Sequence, residues 1–166
     1  RAVRRAALSC ALLIVATSGS GETFRFTGET LAENDIDLPT GSKTLLIVGF
    51  SPESGAQSEA WRQAVHERAA AAGFDVYNVI MLGGAPRLLR GMIKRGIRSD
   101  VPENLHDTFL VVTKDAESWE RAAVVGDTNI AYVLLMSPAG RICARHAGAP
   151  SRDAIERVIS ARCADA

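Results

Sequence analysis

Cysteine is scarce in this sequence. Only Cys10, Cys143 and Cys163 occur in 166 residues, and a disulfide-dense scaffold needs far more. Aromatic residues are also few, at 5%, so the core must be built from small and aliphatic side chains. No acidic residue precedes Glu22. Taking Arg1, Arg4 and Arg5 from the 19 basic residues leaves 16 against 19 acidic ones, a net charge of −3 for residues 22–166. That balance argues against nucleic acid as the main partner, since such binding needs a concentrated basic surface. The apolar run near the start, Ala11 to Val15 within Ala6 to Ala16, is too short for a permanent membrane span.

What is present first is a three-zone segment at residues 1–21. A basic head (Arg1, Arg4, Arg5) leads into the apolar run, and Thr17 to Gly21 is small and polar. That order predicts a secretory signal peptide and an exported, periplasmic protein. A mitochondrial targeting segment is the alternative, because arginines without acids suit it as well. Residues 22–166 then form a single domain of ordinary size. With Cys10 in the signal segment, Cys143 and Cys163 remain, either as a disulfide or as two small buried hydrophobes.

Along the domain, Phe24-Arg25-Phe26 alternates like a short edge strand, and Leu38-Pro39-Thr40-Gly41 reads as a turn. Lys43–Phe50 is a strand buried on both faces. A helix at Ala56–Ala72, a strand at Phe74–Met81 and a helix opened by Pro86 follow. Leu88, Leu89, Met92 and Ile93 read as the packing face of that helix, with Arg87, Arg90, Lys94 and Arg98 opposite. Gly91 and Gly96 each cost it roughly 1 kcal/mol and predict an early end, with a polar loop over Arg98–Asp107. Thr108–Thr113 and Ala131–Met136 are buried strands flanking a short helix at Ala116–Val124. Ser137–Gly140 turns the chain into Arg141–His146. Ser151 caps a closing helix that ends near Cys163. Strands alternating with helices predict an α/β fold with a mixed central sheet, helices on both faces, and a C-terminal β-hairpin plus helix.

These segments resemble the thioredoxin-like superfamily, in the branch holding peroxiredoxins and cytochrome-maturation thioredoxins. The likeness rests on Leu38-Pro39 before the strand ending at Phe50, on the loop Ser51-Pro52-Glu53-Ser54-Gly55 that opens a helix, on the extra helix and strand of Pro86–Thr113, and on Tyr132–Arg141. A narrower resemblance, through Ser58-Glu59-Ala60-Trp61 and Tyr132–Arg141, is to thioredoxin-like assembly factors of the ATP synthase membrane sector. The resemblance implies a cysteine at the helix start, where the thiol pKa falls, and a cis-proline before the penultimate strand. This chain has neither. Ser54 stands nearest the first position, and Asn129-Ile130-Ala131 occupies the second, where a non-proline cis bond would cost about 2.5–4 kcal/mol.

The leading expectation is therefore a redox-inactive binding protein with a protein partner, acting as an assembly or chaperone-like factor without a cofactor. A thiol-disulfide oxidoreductase or peroxiredoxin-like enzyme using Cys143 and Cys163 is the second reading. A small-molecule or anion binder at the Ser54 helix N-terminus, with Ser54, Gly55, Gln57 and Ala131 as binding residues, is the third. The stripe Arg87, Arg90, Lys94 and Arg98 would supply any membrane association. Trp61 and Tyr132 read either as a binding surface or as core. Cys143 and His146, three apart on a strand, point to opposite faces and make no metal site. No Gly-x-Ser-x-Gly elbow surrounds Ser54, which argues against a serine hydrolase.

Overall fold

Leu45 to Val48 and Ala131 to Met136 are continuous apolar runs, and such runs must be covered on both faces. The computed structural model, which describes residues 21–163, places them side by side at the centre of one sheet. The strands are β1 (Phe26–Thr30), β2 (Asp35–Leu38), β3 (Thr44–Gly49), β4 (Asp75–Met81), β5 (Phe109–Val112), β6 (Ala131–Met136) and β7 (Ile142–Ala147). Their spatial order is β2-β1-β5-β4-β3-β6-β7. Strands β3, β4 and β5 run parallel, and β6 is antiparallel to both β3 and β7. The segment expected to signal export lies, but for its last residue, outside the described residues, as does Cys10.

Four helices cover the sheet: α1 (Gly55–Ala71), α2 (Arg87–Asp100), α3 (Ala116–Ala123) and α4 (Arg152–Ser160). Side-chain alternation divides the core. Leu45, Ile47, Val133 and Leu135 pack on Trp61 and Val65 of α1 and on Ala154 and Val158 of α4. Leu46, Val48, Leu134 and Met136 pack with Trp119 of α3 and with Phe24 and Phe26. Phe26 and Trp119 stack with ring centroids 3.8 Å apart. Each such fully buried aliphatic side chain contributes roughly 1.5–3 kcal/mol relative to exposure. Ser151 caps α4 as expected, its Oγ accepting from the Ala154 N–H at 3.1 Å.

The first twenty residues of the domain form more structure than the Phe24–Phe26 strand anticipated there. β1 and β2 make an antiparallel hairpin, and β1 joins β5. Phe24 lies outside β1 and donates its N–H to Gly140 O at 2.8 Å. Gly140 has φ +89°, and a Cβ there would stand 2.5 Å from Phe24 O, so glycine is required on both counts.

Helix α2 departs from its sequence pattern in two ways. It runs on to Asp100 despite Gly91 and Gly96, and a 3₁₀ turn at Glu103–Thr108 fills most of the expected loop. His106 in that turn is buried, with Nε2 2.9 Å from Val101 O and 3.2 Å from Arg98 O. Both partners are acceptors, so Nε2 carries the proton. The inward face of α2 is also rotated. Ile93 and Ile97 pack against Leu31, Leu82 and Val111, whereas Leu88 is 96% exposed and Leu89 and Met92 also face solvent. The flanking cations find partners in this orientation. Lys94 Nζ reaches Glu29 at 2.7 Å, Arg98 reaches Glu33 at 2.9 Å, and Arg90 donates to the carbonyls of Gly83 and Ala85. The β1–β2 hairpin supplies both acids and the turn before α2 supplies the carbonyls, so three of the four cations of the stripe have partners within the protein.

Candidate functional site

Strand β3 ends at Gly49, and Phe50-Ser51 carries the chain into a 3₁₀ turn at Pro52–Ser54 that leads directly into α1. This turn sits at the carboxyl edge of the central strand, where open α/β sheets place their clefts. Ser54 is fully buried, and its Oγ donates to Ser51 O at 2.7 Å. A hydroxyl whose proton goes to a carbonyl rather than to a base is not activated as a nucleophile. Ser51 Oγ in turn donates to Thr128 O at 2.9 Å, tying the turn to the segment before β6. Gln57 Oε1 accepts from Ala131 N–H at 3.0 Å. The structure thus gathers Ser54, Gln57 and Ala131 at one end of the sheet, with Gly55 exposed beside them. The cis peptide among the described residues is Leu38-Pro39, so Ile130-Ala131 is trans.

Charge around this turn is acidic and internally compensated. The Glu53 carboxyl is held below its ordinary range, chiefly by its own backbone N–H. Hydrogen bonding from Arg62 lowers Glu59 likewise and raises the Arg62 guanidinium in return. Glu59 also accepts from Gln63 at 2.7 Å.

Trp61 and Tyr132 belong to the core. Trp61 is fully buried and donates Nε1–H to Gly148 O at 2.8 Å. The Tyr132 hydroxyl accepts from the N–H groups of Gly126 and Asp127 and donates to Asp127 O. Cys143 and Cys163 form a disulfide with Cα atoms 4.8 Å apart. It joins β7 to the residues just past α4. Ile142 pairs with Met136, which pairs with Thr44, so the disulfide lies at the opposite end of the sheet from Ser54. Arg141, Arg145 and Arg162 line the shallow groove that holds it.

The Ser51–Gly55 turn also forms one wall of a larger feature, of which the sequence indicated only the Ser54 end. A cleft of about 590 Å³ opens between α1 and α2 over the carboxyl halves of β3, β4 and β5. Strand register sets its floor: Ile47, Asn78 and Phe109 share one row, and Gly49 and Ile80 the next. Asn78 is only 5% exposed, and its side-chain amide makes no hydrogen bond among the described residues. The signal was present in the sequence as a lone amide inside the strand Val76-Tyr77-Asn78-Val79-Ile80.

No family model matches the chain, and no curated protein does. Solved structures do. The pneumococcal exposed lipoprotein thioredoxin from Streptococcus pneumoniae is similar over 82% of this chain and 98% of its own, with 15% identity and a TM-score of 0.60. A putative thiol:disulfide interchange protein DsbE from Chlorobium tepidum matches over 81% and 89%, with 19% identity and a TM-score of 0.57. BsSco, a member of the Sco family of cytochrome c oxidase assembly proteins, matches over 84% and 94%, with 14% identity and a TM-score of 0.52. The chain has the thioredoxin-like fold of these thiol:disulfide interchange and Sco proteins.

Proposed function

We propose that this chain is a redox-inactive thioredoxin-fold binding protein that works outside the cytoplasm as an assembly or chaperone-like factor. One observation carries the reading. The helix start after Phe50 holds a buried serine bonded to its own turn, and the disulfide lies at the far end of the sheet. Thiol chemistry in this fold depends on a thiolate at that helix N-terminus. The Thr128 carbonyl accepts from Ser51 and the Ala131 N–H donates to Gln57 of α1, so the helix start and the segment before β6 form one continuous surface. Two of the similar structures are described as an exposed lipoprotein and as an assembly-protein family member, which fits such a role at an exported location.

Insulin reduction and peroxide consumption test the reading directly. The expected result is no turnover above that of the Cys143→Ser, Cys163→Ser variant, together with capture of a specific protein from the native compartment. Turnover well above the variant would overturn it. The alternative is a thiol-disulfide oxidoreductase using Cys143 and Cys163. It is favoured by the arginines of the disulfide groove, since cations beside a thiol lower its pKa and ready it for exchange. The same assays separate the two.

A further inference from the structure

We propose that the cleft between α1 and α2 is a binding site for a neutral small molecule with a compact apolar body and one carboxamide or hydroxyl end, anchored by Asn78. The Ser51–Gly55 turn forms one wall of the cleft, and the inference does not rest on the absence of redox activity. Ligand pockets in proteins occupy roughly 300–1,000 Å³ and are mostly apolar, with a few placed polar groups. The volume here, about 590 Å³, falls within that range. Ile47, Ile80, Ile93, Ile97 and Phe109 supply apolar walls and floor.

Asn78 is the placed polar group. Its side chain offers one acceptor and two donors, yet it is 95% buried and uses none of them within the protein. Its polar atoms are not sealed from solvent, so they stay open to a partner in the cleft, and covering them without a hydrogen bond would cost stability. The row Ile47-Asn78-Phe109 aims it into the cleft, because Ile47 and Phe109 on either side face the same way and line the same space. Ser58, on the α1 wall, has an unpartnered Oγ that is sealed from solvent, which leaves Asn78 as the anchoring group. Gly49 leaves room for this arrangement: a Cβ there would meet Ser54 Oγ at 2.8 Å and Ser58 Oγ at 3.4 Å.

Charge fixes the class of occupant. Glu59 is the ionisable residue lining the cleft, and Arg62 and Gln63 already hold its carboxylate. No cation among the described residues lines the space, so an anion has nothing to pair with there. A hydrocarbon would cover Asn78 without satisfying it. A molecule with a carboxamide or hydroxyl end satisfies it while its body fills the apolar part.

The experiment uses the full chain, isotope-labelled, titrated with 3-phenylpropanamide and separately with propylbenzene. Chemical shifts of the Asn78 side-chain amide and of the isoleucine methyl groups are followed. In the wild type the amide probe should saturate both sets of signals and bind at least about tenfold more tightly than the hydrocarbon, the scale of discrimination a buried polar group provides. Asn78→Leu keeps the shape and removes the donors and acceptor, and it should abolish that preference. Ile93→Trp fills the space from the α2 wall and should remove binding of both probes, and this arm decides the matter if Asn78→Leu does not fold. No saturable shift with either probe up to about 10 mM, the bottom of the useful affinity range, would overturn the proposal. So would a preference unchanged in Asn78→Leu, or binding unchanged in Ile93→Trp.

Discussion

Replacing both Cys143 and Cys163 with serine removes a link that closes a loop of 20 residues. In the chain-entropy description, a cross-link of that length restricts the unfolded ensemble by about 3 kcal/mol at 25 °C. The folded side changes little. Ala154 and Val158 of α4 stay buried against Trp61, Val65 and the β6 residues Val133 and Leu135, independently of the sulfurs. The whole loss should therefore appear in stability, with the folded-state spectrum unaltered. For a domain of this size, about 3 kcal/mol corresponds to a fall in Tm of roughly 6–12 °C. The denaturant slope should rise, because the unlinked chain exposes more surface on unfolding. Thermal and urea melts of the oxidised wild type, the reduced wild type and the double-serine variant make the comparison. The last two should coincide. If the variant melts within about 1 °C of the oxidised protein, the cross-link constrains nothing and the reasoning fails.

Two further substitutions probe the turn. Gly49→Ala should cost about 1–3 kcal/mol by overpacking against Ser54 Oγ, and adding Ser54→Ala should recover part of that loss although Ser54→Ala alone destabilises. Strictly additive urea-derived values for the pair would rule out the steric account. Glu59→Gln tests the ion pair with Arg62. The folded carboxyl titrates below its ordinary value of 4.5, so its contribution is present above pH 4.5 and disappears as pH falls through the lowered value. The pair is largely exposed, so the difference at pH 7 should stay below about 1 kcal/mol. A gap between the two proteins that widens below pH 4 would contradict the assignment.

Much of this architecture was legible where hydrophobicity was unbroken. Strands β3 and β6 were found because runs such as Leu45-Leu46-Ile47-Val48 have no other comfortable home. The alternation of strands and helices gave the parallel centre, and the small-residue turn gave the β6–β7 hairpin. The β1–β2 hairpin escaped because Thr27, Gly28, Glu29, Asp35 and Asp37 carry weak strand signals, and pairing to β5 is what holds them extended. The rotation of α2 escaped for a related reason. Its own residues favour Leu88 and Met92 as the inward face, whereas Ile93 and Ile97 are chosen by packing on Leu31, Leu82 and Val111, which are remote in sequence. The cleft was legible only as a place beside the Ser54 helix start, since Asn78 acquires its meaning once register sets it between Ile47 and Phe109. The Ser54 turn was legible as a place, but not its bonding to Ser51, Thr128 and Ala131.

The open border of the sheet at β2 has a consequence for how copies of this chain meet. An unpaired strand is a template on which another chain can add itself. Here that border reads Asp35-Ile36-Asp37-Leu38 and is followed at once by Pro39, which has no N–H to offer. A second copy laid antiparallel along it would bring aspartates close to aspartates, a mutual repulsion that grows as fibril-like stacking proceeds. Two carboxylates and one imino acid thus leave this side of the protein chemically unable to continue its own pattern, and crowding the chain to high concentration meets a built-in stop at that strand.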